Sequence, residues 1–167
     1  MVQGSRVRSV TLAPWLGTLA RLVLAGVFCA AGLAKVTDLA ASGRAVNAYQ
    51  MMPFGVARIV GAALPFMELM LALFLLAGLA TRAAAGIAAA LLAVYIVGIG
   101  SVWARGLSID CGCFSAGGQL PAGAHPSYLW DIARDVALLA VAAFLVWRPR
   151  TRLGLDAVLL PGPDEEV

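Results

Sequence analysis

The sequence predicts an all-α, polytopic membrane protein: a bundle of four transmembrane helices with an outer Cys-Gly-Cys loop between the third and the fourth. Three observations carry that expectation. Hydrophobic residues make up 62% of the 167-residue chain and charged residues 13%, with a mean hydropathy of +0.91, more apolar surface than a water-soluble fold needs. The apolar residues gather in Pro14 to Ala34, Ala57 to Ala80, Ala83 to Ala104 and Tyr128 to Trp147. Each stretch has about 20 residues or more, enough for a helix to cross a hydrocarbon core of about 30 Å. Two of the three cysteines stand together in Asp110-Cys111-Gly112-Cys113-Phe114, between the last two stretches. The net charge of +3 is small and scattered, with no basic tract or aromatic platform, so the bilayer and not nucleic acid is the expected partner.

Residues 1–13 read as a cytoplasmic tail carrying Arg6 and Arg8. The run from Trp15 to Ala34 is longer than a signal-peptide core, and bulky Phe28 before Cys29 argues against a lipoprotein site. In span one, Arg21, Ala25, Phe28, Cys29, Gly32 and Lys35 fall at spacings of three, four and seven, one helical stripe facing the bundle. An intramembrane charge is costly, so Arg21 is expected either to point inward to a partner or to snorkel to the interface. Thr37 to Gly55 suits a short interfacial helix, with Met51 and Met52 as packing side chains. In span two, Pro65 frees a carbonyl one turn earlier, and Glu68 lies near mid-membrane, where a carboxylate is paired or protonated. Arg21 is the partner the sequence suggests first.

Thr81-Arg82 is a short connection, which makes spans two and three antiparallel neighbours. Gly86, Gly98 and Gly100 permit close approach along span three. In span four, Arg134 is spaced to pair with Asp131, which shares a face with Asp135, and could line a floor beneath the cysteine loop. Residues 14–148 form one transmembrane domain, and 149–167 a second cytoplasmic tail. Arg6, Arg8, Arg82, Arg148, Arg150 and Arg152 flank one side, against Lys35, Arg44, Arg58 and Arg105 on the other. That bias predicts a multi-pass protein of the inner or plasma membrane with both termini cytoplasmic and the cysteine loop outside. Trp15 with Trp147, and Trp103 with Trp130, mark the two interfaces.

Cysteines at i and i+2 approach disulfide distance only where the chain turns sharply, which Gly112 permits. Such a bond is strained and readily exchanged; the plainer readings are a loop staple or two unrelated thiols. Cys29 lies about 9 Å below the outer end of span one at 1.5 Å per residue. All three sulfurs then sit in the outer half, and cysteines alone cannot relay electrons across the membrane. A carrier such as a quinone, or another protein, would have to deliver them. Arg105, with Lys35, Arg58 or Arg134, would favour a thiolate, and Asp110 would oppose it.

Several motifs recur in a familiar order: Arg21 with Phe28-Cys29-Ala30-Ala31-Gly32-Leu33-Ala34-Lys35, Val46-Asn47-Ala48-Tyr49 with Pro53, Leu64-Pro65-Phe66-Met67-Glu68, Asp110-Cys111-Gly112-Cys113-Phe114, and Asp131 with Arg134. Together, over residues 14–148, they resemble the MauE branch of the MauE/DoxX family of redox-associated membrane proteins. Ser115 stands where that family usually has glycine. The resemblance implies a four-helix membrane bundle that helps an exported thioredoxin-like partner mature a disulfide-rich methylamine dehydrogenase subunit. Cys111 and Cys113, with Cys29 as a third thiol, would be the exchanging groups, and Arg21, Lys35, Glu68 and Arg134 the intramembrane charges. Two other readings stand beside it. Cys111 and Cys113 with His125 or the methionines would suit copper or zinc handling, and a bundle with inert cysteines would serve as an assembly factor.

Overall fold

The structure, a computed structural model, describes residues 3–112, 117–120, 124–148 and 155, with side chains from residue 15 onward. Its elements are α1 (Gln3–Val36), α2 (Leu39–Ala48), α3 (Phe54–Ala77), α4 (Thr81–Ala104), the two-residue strands β1 (Ile109–Asp110) and β2 (Gly118–Gln119), and α5 (Tyr128–Trp147). Trp15–Val36, Phe54–Ala77 and Thr81–Ala104 are long and apolar enough to cross a membrane. Helix α5 is a little shorter, at 20 residues, and carries Asp131, Arg134 and Asp135 near its start. Helix α1 runs back to Gln3, through most of the expected N-terminal tail. Cys113, Phe114, Ser115, Arg150 and Arg152 lie outside the described residues.

Local chemistry sets the helix ends. Asp38 caps α2, accepting the Ala41 N–H at 2.8 Å. Gly78, at φ +63°, ends α3: its N–H meets the Leu75 carbonyl at 3.3 Å and the Leu79 N–H meets the Phe74 carbonyl at 3.0 Å. The connection between α3 and α4 is therefore Gly78-Leu79-Ala80, not Thr81-Arg82, because a glycine free to adopt positive φ closes the helix before Thr81 begins the next. Those two helices pack only lightly on each other; α1 lies along α3 and α4 along α5. The tight turn ties α3 to α4 at one end, and a wedge separates them at the other.

Glycines set the close approaches. A Cβ on Gly32 would sit 2.7 Å from the Leu69 Cγ and 3.0 Å from the Pro65 carbonyl oxygen, and one on Gly61 would sit 2.5 Å from the Ser42 carbonyl oxygen and 2.6 Å from the Gly43 Cα. Small residues thus bring α1 and α2 against successive parts of α3. The main core comprises Leu24, Phe28, Leu71, Leu75, Leu92 and Leu145, and a smaller one at the hairpin end joins Ile99, Val102, Ile109 and Tyr128. Outside, Leu19, Ile59, Leu73, Val94, Leu129 and all four tryptophans are exposed. Apolar surface on this scale, on every long helix, is that of a membrane protein.

Candidate functional site

The loop after α4 begins where Gly106, at φ +67°, turns the chain out of the helix. The Tyr128 hydroxyl then holds it, accepting the Ile109 N–H at 2.8 Å and donating to the Leu107 carbonyl. Ile109 pairs with Gln119 and Asp110 with Gly118, an antiparallel ladder that brackets the cysteine segment. The ladder is not legible in the sequence, because two-residue strands are too short to show an alternating pattern.

Gly112 and Gly117 both have positive φ, +69° and +62°, and their backbones nearly touch. A Cβ on Gly117 would lie 2.7 Å from the Gly112 Cα and 2.7 Å from the Ala45 Cβ, so the hairpin rests directly on α2. The Asp110 carboxylate accepts the Gly112 N–H at 3.0 Å, and the Tyr49 hydroxyl donates to the Cys111 carbonyl at 3.0 Å. Gly98 makes room for that tyrosine: a Cβ there would lie 3.2 Å from its ring. Arg105 also reaches this segment. Its guanidinium donates to the Tyr49 and Gln50 carbonyls, which follow the end of α2, and to the Ser101 carbonyl in its own helix. It fastens α4 to the α2–α3 connection.

Below the hairpin, the wedge between α3 and α4 encloses a cavity of about 410 Å³, with Lys35, Ser42, Tyr49, Tyr95, Gly98 and Cys111 among its lining residues. At its deep end, Lys35 Nζ lies 2.6 Å from Glu68 Oε1, which also accepts the Tyr95 hydroxyl at 2.7 Å. Glu68 is fully buried and Lys35 nearly so. The pairing of Glu68 with Arg21 is thus corrected: Arg21 and Lys35 are 14 positions apart, about 21 Å along a helix at 1.5 Å per residue. Arg21 is buried far down α1, toward the Gly78 end.

Arg134 pairs with Asp131 at 3.3 Å, as its spacing suggests, and also with Asp135 at 2.9 Å. Neither it nor the free thiol of Cys29 is among the residues lining the cavity. Cys29 packs against the main core, whereas Cys111 borders the smaller one. His125 is exposed, and no group of three or more metal-ligating His, Cys, Asp or Glu side chains forms among the described residues. Sequence reasoning missed Tyr95; a lone phenol within an apolar span was its signal.

The arrangement unites a membrane-buried ion pair, an apolar cavity and a braced cysteine hairpin over one helical scaffold. The family model of methylamine utilisation protein MauE matches residues 13–148. The chain belongs to the MauE family. The matched segment takes in α2 to α5, both strands and all of α1 beyond its first turns, so every MauE-family site residue named above falls inside it. No curated protein and no solved structure matches the chain.

Proposed function

We propose that this MauE-family protein is a membrane thiol–disulfide component, exchanging through Cys111 and Cys113 with an exported thioredoxin-like protein during maturation of extracytoplasmic proteins. Methylamine dehydrogenase is the client that family membership favours. The placement of Cys111 carries the reading: it directly follows the ladder residue Asp110, its carbonyl accepts from Tyr49, and the next residue, Gly112, lies against Ala45 of α2. A purely packing cysteine requires no such bracing. In one direction, a loop thiolate attacks the partner disulfide, forming a mixed disulfide and releasing a partner thiolate. The second loop thiol then displaces the partner, leaving a loop disulfide and a reduced partner that has gained two electrons and two protons. The reverse sequence oxidises the partner.

In this reading α5 is a fourth membrane crossing. Its acids turn inward, with Asp131 7% and Asp135 1% exposed, as intramembrane charges do. Both termini are then cytoplasmic and the hairpin faces the oxidising side of the inner or plasma membrane. The test is acid-quenched thiol trapping in intact cells. The wild type should yield a mixed disulfide with a thioredoxin-like protein, and the Cys111→Ser/Cys113→Ser variant, inserted normally, should yield none. Full maturation of exported clients by that double variant would instead establish a scaffold with inert cysteines.

A further inference from the structure

The geometry points to the wedge cavity as a binding site for the ring of a membrane quinone, a flat apolar molecule bearing carbonyl oxygens on opposite edges. The polar anchor of the site is at its deep end. At the deep end Lys35 is held by Glu68 at 2.6 Å, leaving the ammonium with further N–H donors, beside Tyr95, whose ring centroid lies 5.7 Å from Nζ. At the shallow end stand Cys111 and Tyr49. The walls between are almost wholly apolar, contributed by α2, α3 and α4, and the volume of about 410 Å³ lies in the range of small-molecule sites.

The charge state selects the ligand class. Glu68 already neutralises Lys35, so the deep end offers hydrogen-bond donors without net positive charge. A phospholipid phosphate would enter with its own charge unmatched, and an acyl chain would leave the donors unused. A neutral carbonyl compound satisfies them and fills the apolar walls. The way in is lateral: Val94 and Val97 border the cavity and are each 64% exposed on the outer face of α4, where a bilayer-soluble ligand with a long tail would arrive.

As a redox carrier this ligand rests on the thiol-exchange reading. A bound quinone would take two electrons and two protons from the Cys111 and Cys113 thiols, giving a disulfide and a quinol, or the quinol would return them. Lys35 and Tyr95 orient the ring, and Glu68 keeps Lys35 from acting as a bare charge.

The experiment uses the full chain in phospholipid nanodiscs with a short-tailed azidoubiquinone, light-activated and mapped by mass spectrometry, and decylubiquinone as competitor. Adducts should fall on the α2, α3 or α4 peptides lining the cavity, and decylubiquinone should suppress them. Its Kd should rise at least tenfold in Val94→Trp, which narrows the lipid-side wall at an exposed position, and in Lys35→Met/Glu68→Gln, which removes the donor without stranding a charge. Adducts elsewhere, equal competition by oleate, or unchanged affinity in a correctly folded Val94→Trp protein would overturn the assignment. Thiol trapping reads exchange separately, so an intact mixed disulfide with no quinone labelling sinks only this inference.

Discussion

Breaking the Lys35–Glu68 pair tests the central architecture most directly. Glu68→Gln leaves a nearly buried ammonium facing a neutral amide, and removing one partner of a buried pair costs about 3–5 kcal/mol. At ~1.4 kcal/mol per factor of ten, that is roughly a hundred- to four-thousandfold in the folding equilibrium. Lys35→Met should cost a similar amount, about 3–5 kcal/mol, because it leaves the fully buried Glu68 carboxylate with the Tyr95 hydroxyl but without its ammonium. In Lys35→Met/Glu68→Gln no charge is stranded and the amide oxygen still accepts from Tyr95. The double variant should therefore be more stable than the sum of the single losses implies, by ~2 kcal/mol or more. Titration from mixed micelles into SDS, followed by far-UV circular dichroism, gives all four free energies of the cycle. Additivity within ~0.5 kcal/mol would refute a direct interaction between the two side chains.

Gly61→Ala should destabilise by about 1–3 kcal/mol in the same titration, since its Cβ would meet the backbone of Ser42 and Gly43. Gly86→Ala, with open space around the new methyl, should be neutral or stabilising by up to about 1 kcal/mol. Tyr49→Phe removes the hydrogen bond to the Cys111 carbonyl, a loss of about 1 kcal/mol that should speed alkylation of the reduced Cys111 thiol roughly fivefold; an unchanged rate would show that the bond does not restrain the hairpin. Arg134→Met deprives Asp131 and Asp135 of their shared cation and should lower stability by at least ~2 kcal/mol, much of it recovered in Arg134→Met/Asp135→Asn. Membrane-impermeant maleimide applied to whole cells after reduction should label Cys111, and labelling only after the cytoplasmic side is opened would reverse the proposed orientation.

Much of the scaffold is legible in the chain because hydropathy reports helix length directly: Tyr128 to Trp147 matches α5, and Ala104 ends α4. Helix ends defined by backbone geometry are less visible. Ala80 looks apolar and continuous with span two, yet it follows the Gly78 stop at φ +47°. Charge pairing was the harder problem. Arg21 and Lys35 share one stripe on α1, and either could serve Glu68 from sequence alone; the choice depends on how far α1 slides along α3, which the contact of Gly32 with Pro65 and Leu69 fixes. The cysteine motif announced a turn, but the tyrosines that brace it come from distant positions, 49 and 128, and no local pattern links them.

The light packing between α3 and α4 bears on biosynthesis. These helices leave the ribosome as a hairpin, yet each makes its main contacts with a helix from elsewhere in the chain, α1 already made and α5 still to come. Until residue 147 has emerged, α4 lacks the helix with which it makes its main contacts, so part of the surface that is buried in the finished bundle has no cover. The last helix is thus the closing stave of the barrel, and a nascent chain halted before it would offer quality-control proteases a half-built wall.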